Sequence, residues 1–167
     1  MDIIENKVAN SGLITLDIED LIEYKPIKTF DIKTVLFMEL MLKEKDFREF
    51  LKANNWEEYK DTYTNIICSS DAIVPTWAYM LLVTKLNDVS AYVFLGSKEE
   101  MMHQLYLQAI EKIDTEIYQD IRVVIKGCGE KHIPNNVYLQ LTQKLLPVVK
   151  SIMYGEPCST VPVYKRV

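Results

Sequence analysis

The chain has 167 residues, which suits one domain of ordinary size. Hydrophobic residues make up 49% and charged residues 26%, which excludes a disordered chain, a collagen-like repeat and a disulfide-dense miniprotein. Lys and Arg number 19 against 24 Asp and Glu, and the resulting net charge of −5 argues against a nucleic-acid partner.

The N-terminus and the cysteine count favour the cytoplasm. Residues 1–6 lack the basic start and the apolar core of a secretory signal. No apolar run approaches the roughly 20 residues that cross a bilayer, so we expect no membrane partner. The chain has 3 cysteines, an odd number that is typical of reduced thiols in a protein without a signal peptide.

The N-terminal part, residues 1–60, is predicted to hold a strand and a helical region. Residues 13–18 alternate between apolar and polar side chains from Ile14 onward, as in a half-buried strand. Residues 34–53 carry apolar side chains near helical spacing and are predicted to be helical, in one piece or two. The four acidic residues Asp17, Glu19, Asp20 and Glu23 are interpreted as part of a solvated turn, because their spacing matches no metal-binding loop.

From residue 63 to residue 155 the chain alternates between strand and helix patterns, with no evident internal repeat. Asp71 is the predicted N-cap of the first of these helices, Ser97 and Glu100 form a capping box at the second, and Pro134 marks the start of the third. The predicted strands are 63–68, 91–95, 122–126 and 148–153.

Short strands that alternate with amphipathic helices are typical of βαβ units. We therefore predict a single α/β domain over residues 1–167, a three-layer sandwich with a mainly parallel sheet. Its βαβ core covers 63–155, and the N-terminal strand and helices pack onto it. Residues 156–167 are predicted to form a C-terminal arm folded back over the edge of the sheet.

Each cysteine lies at or shortly beyond the end of a predicted strand. Cys68 closes the first strand, Cys128 follows the third and Cys158 follows the fourth. The carboxyl ends of parallel strands share one edge of a sheet, so the three thiols are expected to converge there. Helix N-termini at that edge would lower the pKa of a neighbouring thiol and favour the thiolate.

Converging thiolates predict a site for zinc or an iron–sulfur cluster, with His132 or Asp71 as a fourth ligand. No C-x-x-C pair is present, and free cysteines often pack as small apolar side chains. Two alternatives therefore stay open. One is a binding or scaffold module with structural cysteines. The other is a thiol-dependent enzyme that uses Cys128 or Cys158 on an anionic substrate.

Other sequence patterns limit the cofactors and the assembly state. The chain has no P-loop and no dinucleotide-binding fingerprint, so no nucleotide cofactor is expected. A homodimer is the default expectation, because two-fold dimers are the commonest closed oligomers.

Five segments carry a resemblance to a known family. They are residues 6–15 (NKVANSGLIT), 43–48 (KEKDFR), 70–80 (SDAIVPTWAYM), 124–128 (VIKGC) and 155–162 (GEPCSTVP). Through them nearly the whole chain resembles a bacterial domain-of-unknown-function family of uncharacterised cytoplasmic proteins. That family has no established activity, so the resemblance transfers no functional residue. Its members are often encoded beside sulfur-mobilisation genes, which implies a protein partner in iron–sulfur cluster assembly.

Overall fold

The computed structural model describes residues 12–127, 129, 131–156 and 159–167. These residues form two compact units. Tyr24–Met102 form one of them, which we call the inserted unit. The described residues up to Glu23 and His103–Val167 form the other, which we call the split unit. The inserted unit therefore interrupts the split unit along the sequence.

Within the described residues there are seven strands and four α-helices. The strands are β1 (Leu13–Asp17), β2 (Ile27–Asp31), β3 (Tyr63–Ile67), β4 (Tyr92–Leu95), β5 (Arg122–Lys126), β6 (Ser151–Glu156) and β7 (Ser159–Lys165). The helices are α1 (Glu44–Ala53), α2 (Thr76–Leu86), α3 (Lys98–Glu111) and α4 (Asn135–Leu145). The class is mixed α/β with mostly parallel pairing, which agrees with the predicted three-layer sandwich and confirms the predicted fold class.

The strands form two sheets. In the inserted unit, β2, β3 and β4 lie side by side in that order, and all of them are parallel. In the split unit the order is β1-β5-β6-β7, in which the first three strands are parallel and β7 runs antiparallel to β6. The alternation of strands and helices correctly predicted parallel pairing, but it does not specify how the strands divide between sheets.

The two units repeat one arrangement of elements with a constant offset of 59 positions. β3 and α2 begin at Tyr63 and Thr76, and the matching β5 and α4 begin at Arg122 and Asn135. The helix positions that each unit buries also match, namely Ala78, Leu82 and Leu86 in α2 and Val137, Leu141 and Leu145 in α4. The repeat is not evident in the sequence, because most matched positions differ in residue identity.

The repeat extends to an unusual turn that precedes β3 and β5. Asp61 and Asp120 both adopt left-handed backbone conformations, with φ of 52° and 56°. The backbone N–H of Asp61 donates to the carbonyl of Val89, and that of Asp120 donates to the carbonyl of Val148, both at 2.9 Å. Aspartate is one of the few side chains that tolerate this conformation, so each unit uses the same residue type to enter its central strand.

The structure corrects the helical prediction for residues 34–43. A short 3₁₀ turn over Ile32–Val35 is followed by a tight turn in which Phe37 bridges to Met41, and α1 begins only at Glu44. The apolar residues of this segment have helical spacing, but most of them are exposed to solvent. In this segment the helical spacing of apolar residues therefore does not indicate a buried helix face.

The remaining differences concern strands. β2 is not predicted from the sequence. The last predicted strand, 148–153, begins three residues too early, because β6 starts at Ser151. Most of the predicted C-terminal arm is β7, which pairs with β6 at the edge of the sheet. The arm is therefore part of the split unit's sheet.

A buried amide connects the strands of the inserted unit. Asn65 in β3 is only 2% exposed. Its Oδ1 accepts a hydrogen bond from the Thr29 hydroxyl of β2 at 2.8 Å, and its Nδ2 donates to the carbonyl of Gly96 after β4 at 3.0 Å. Both polar atoms of the side chain therefore have a partner within the inserted unit. The matching position of the split unit holds Val124.

We expect Asn65→Val, which copies the matching residue of the other unit, to lower the free energy of unfolding by about 1–3 kcal/mol. The reason is that the Thr29 hydroxyl and the Gly96 carbonyl lose their partner while they stay partly buried. Urea unfolding followed by circular dichroism measures the effect. The double variant Thr29→Val/Asn65→Val should recover part of the loss, and a single variant as stable as the wild type would contradict this role.

Candidate functional site

The carboxyl ends of β1, β5 and β6 meet at one edge of the split-unit sheet, where ligands bind in open parallel sheets. Lys126 ends β5, which lies between the other two strands. Its Nζ lies 3.1 Å from Oδ2 of Asp17 on β1 and 3.9 Å from Oε1 of Glu156 on β6. We call these three residues the charged edge, because they connect the ends of all three parallel strands.

The charged edge keeps its lysine protonated. The hydrogen bond and the charge of Asp17 raise the pKa of Lys126, and the charges of Glu156 and Asp20 add to the effect. A fixed positive charge therefore lies at the end of the central strand throughout the neutral range. The charged edge as a whole holds one ammonium and two carboxylates, so its net charge is −1 and it favours a bound cation.

Glu19 positions the loop between β5 and α4. Asp17 caps the short 3₁₀ turn after β1 by accepting the backbone N–H of Glu19 at 3.0 Å. The Oε1 atom of Glu19 then accepts the backbone N–H of Lys131 at 2.9 Å. A methyl group on Gly129 would overlap the Glu19 carboxylate, so a larger residue there would displace that side chain. The turn after β1 therefore holds the loop near its middle.

Tyr138 of α4 holds the same loop at its beginning. Its hydroxyl donates a hydrogen bond to the carbonyl of Gly127 at 2.8 Å, and a methyl group on Gly127 would overlap the phenol. The ring also packs edge-on against Tyr154 of β6, with 5.7 Å between ring centroids and an interplanar angle of 80°. The backbone is thus held at residues 127 and 131, on either side of Cys128 in the sequence.

The carboxyl edge of the inserted unit is organised around an aspartate. Burial alone would raise the pKa of Asp31, but hydrogen bonds from Ser69 and Lys33 hold it below its usual value. The half-buried thiol of Cys68 lies 3.4 Å from both the carbonyl and the hydroxyl oxygen of Ser70. No lysine takes the position of Lys126 here, because the matching residue is an isoleucine, so the two edges differ in charge.

The predicted ligands occupy different parts of the chain. Cys128 and Cys158 lie outside the described residues. Cys68 follows β3 in the inserted unit, whereas His132 is exposed in the loop before α4 and Asp71 is exposed in the loop before α2. β3 belongs to a different sheet from β5 and β6. Of the three cysteines, only Cys128 and Cys158 therefore follow strands of the same sheet. Among the described residues, no three His, Cys, Asp or Glu side chains are grouped to hold a metal ion.

One predicted helix cap is wrong and another is confirmed. α2 begins at Thr76 after Pro75, which offers no side-chain cap, so Asp71 lies too early in the chain to act as the N-cap. Ser97 and Glu100 do form a capping box. The backbone N–H of Glu100 donates to the Ser97 hydroxyl at 3.1 Å, and the backbone N–H of Ser97 donates to Oε2 of Glu100 at 2.8 Å.

The ion pairs of the charged edge are not evident from the sequence, and Asp17, which the sequence places in a solvated turn, pairs with Lys126. Lys126 and Glu156 ended or followed predicted strands, and the same rule that drew attention to the cysteines applies to them. What was lacking was the strand order, which makes the ends of β1, β5 and β6 neighbours. In the part of the chain that the structure describes, no helix has the length and apolar character to cross a membrane.

The model of one family, described as a protein of unknown function (DUF2480), matches residues 2–166, so the chain belongs to this family. The match confirms the whole-chain resemblance to a family of unknown function. No curated protein and no solved structure matches the chain.

Proposed function

We propose that this member of the family is a cytoplasmic accessory protein that binds a metal ion or an iron–sulfur cluster through Cys128 and Cys158. The main support is that β5 and β6 are neighbouring parallel strands whose ends meet at the charged edge. Cys128 comes two positions after the end of β5, and Cys158 comes two positions after the end of β6. Two residues of chain span at most about 7 Å, so both thiols are tethered to adjoining strand ends.

The net negative charge of the charged edge supports a bound metal cation. Zinc and iron–sulfur clusters bind the deprotonated thiol. His132 is exposed in the loop between β5 and α4, and its imidazole would supply a third ligand. Fewer than four protein ligands leave a position open, which suits a protein that passes its metal or cluster to a partner in iron–sulfur assembly.

The proposal predicts metal on the purified protein. Wild type prepared without oxygen should carry close to one zinc ion or one cluster per chain, measured by elemental analysis and visible absorption. Cys128→Ser and Cys158→Ser should each lose most of it, because each removes a ligand. Cys68→Ser is the matched control. Cys68 belongs to the inserted unit and is not one of the proposed ligands, so this variant should keep the metal content of wild type.

Two results would overturn this proposal. One is wild type without metal, and the other is a Cys128→Ser variant that keeps the full metal content. Circular dichroism of every variant separates loss of a ligand from loss of fold. Absence of metal combined with unusually fast alkylation of Cys128 would favour a thiol-dependent enzyme.

A further inference from the structure

β4 lies at one edge of the inserted-unit sheet. Within the described residues, the strand order β2-β3-β4 gives it a neighbouring strand on one side only. On that side, the N–H groups of Tyr92 and Gly96 donate to carbonyls of the β3 segment at 3.4 Å and 2.9 Å. Successive residues of a strand direct their backbone groups to opposite sides, so Val93 and Leu95 direct theirs away from β3. We call these outward backbone groups the β4 edge.

The β4 edge is open in the part of the chain that the structure describes. Neither Val93 nor Leu95 forms an outward backbone hydrogen bond with another described residue. Leu95 is also exposed, with 55% of its surface accessible. A row of unpaired N–H and carbonyl groups is a template on which another strand can pair.

The residues of β4 do not protect this edge. The other described edge strands, β1, β2 and β7, contain Asp17, Lys28 and Lys165, and β7 also contains Pro162. β4 has the sequence YVFL, and the chain has no charged residue and no proline from 89 to 97. Edge strands usually contain charges or proline because these prevent association with other chains. Their absence from β4 indicates that this edge is paired in the native assembly.

The split unit shows which kind of strand fits the β4 edge. β6 is the counterpart of β4, because Tyr92 pairs with Tyr63 and Ser151 pairs with Arg122, each pair offset by the same 59 positions. The outer side of β6 is covered by β7, which runs antiparallel to it. The described part of the inserted unit has no strand at the corresponding place. The repeat therefore indicates an antiparallel strand as the occupant.

We propose that the β4 edge of one copy of this chain pairs with the β4 edge of a second copy across a two-fold axis. Two copies of a strand that pair across such an axis run antiparallel, which is the orientation that β7 adopts on β6. The pairing joins two three-stranded sheets into one sheet of six strands.

A second copy is favoured because self-pairing closes the assembly. It covers the β4 edges of both copies at once and leaves none open. Pairing of β4 with β1, β2 or β7 of another copy would be head-to-tail, so that a β4 edge stays open unless the copies close into a ring. It would also place the apolar β4 against a strand that contains a charge.

The outward backbone groups set the register of the pairing. Val93 and Leu95 must take the hydrogen-bonded positions, in which two opposite residues exchange both N–H···O bonds. Val93 of each copy therefore lies opposite Leu95 of the other. Phe94 then lies on the two-fold axis, opposite Phe94 of the second copy, with a Cα separation of about 4.5 Å. An aromatic pair at such a position adds to the stability of the sheet.

Sedimentation equilibrium over a wide range of protein concentrations tests the association. Wild type should have a mass close to twice 19.4 kDa. Leu95→Lys places a charge on the edge, and Val93→Pro removes an outward N–H at a position where an edge strand tolerates proline. Each variant should raise the dissociation constant of the dimer by roughly tenfold or more.

Two control variants should keep the dimer mass. Val161 of β7 is 63% exposed, and Val161→Lys adds the same charge to an edge strand of the other unit. Cys128→Ser removes a proposed metal ligand, so a dimer in this variant distinguishes strand pairing from bridging by a metal. The pairing thus does not depend on the proposed thiolate site.

Disulfide crosslinking tests the register. Phe94→Cys places two thiols opposite each other across the axis, at a Cα separation that a disulfide spans, so oxidation should give a covalent dimer well above the level of wild type. Tyr92→Cys is the matched control on the same strand. Tyr92 lies opposite Gly96 of the second copy, so its two thiols are roughly 13 Å apart along the strands and should not crosslink.

Three results would overturn the proposal. Wild type that stays monomeric at every concentration would do so, and would leave the β4 edge to a strand of a different protein. A Leu95→Lys variant that is folded by circular dichroism and associates like wild type would also overturn it. The third result is crosslinking of Tyr92→Cys as efficient as that of Phe94→Cys.

Discussion

Leu141→Ala should lower the free energy of unfolding by about 2–5 kcal/mol, because it leaves a cavity in the core of the split unit. Leu141 lies on the inner face of α4 and is completely buried. Leu82→Ala, at the matching position of α2, should cost a similar amount, since Leu82 is buried to the same extent. Urea unfolding followed by circular dichroism measures both losses.

The control for this prediction lies on the same helix. Leu139 of α4 is 58% exposed, and Leu139→Ala should change the free energy of unfolding by no more than about 0.5 kcal/mol. A loss at Leu139 as large as the loss at Leu141 would contradict the assigned inner face of α4.

Gly155→Ala should destabilise the protein by about 3 kcal/mol, because it combines backbone strain with a steric clash. Gly155 has φ of 121°, which L-residues rarely adopt. An added Cβ would lie 2.6 Å from the carbonyl oxygen of Ser159, at the start of the neighbouring strand β7. The clash is with backbone, so β7 has to move away from β6. The loss is measured by urea unfolding.

Gly12 offers the matched comparison, because it has a positive φ without the clash. Its φ is 61°, and an added Cβ would meet no atom within 4 Å. Gly12→Ala should therefore cost only about 1 kcal/mol, the penalty of the backbone conformation alone. Equal losses at the two positions would show that Ser159 moves freely and that the close approach at Gly155 has no structural importance.

The fold class could be predicted from the sequence because burial imposes a pattern on strands and helices. β3 and β5 are short β-branched segments, and α2 and α4 repeat apolar residues at helical spacing. β2 escaped prediction because its first two residues, Ile27 and Lys28, are exposed and only Phe30 is buried. The turn over residues 37–41 was mispredicted for the opposite reason, because its exposed apolar residues have the spacing of a buried helix face.

The internal repeat was hidden by differences in residue identity. Leu82 and Leu141 are identical, but Asn65 matches Val124, and Cys68 matches Gly127. The two units share the spacing of their buried positions more than the residues themselves, so the offset of 59 positions becomes visible only when the elements are compared.

The sequence predicts only those features of the candidate site that depend on neighbouring residues in the chain. A strand end followed by polar residues drew attention to the region after β5 and β6, which lies beside the charged edge. Which strands are neighbours depends on contacts between distant segments, and single-sequence periodicity contains no information on them. For that reason the sequence pattern places Cys68 with Cys128 and Cys158 without indicating that β3 belongs to a different sheet, and it does not indicate the ion pairs of Lys126.

The insertion of one unit into the other has a consequence for synthesis on the ribosome. β1 pairs with β5 through Leu13 and Arg122, so the whole inserted unit is translated between them. At about 5–20 residues per second, β1 waits roughly 5–20 s for its partner strand. The inserted unit contains all of its own strands and can fold during that interval, whereas the split unit completes its sheet only when the last third of the chain emerges. A translational pause after Met102 should therefore prolong the life of an unpaired, aggregation-prone β1 strand.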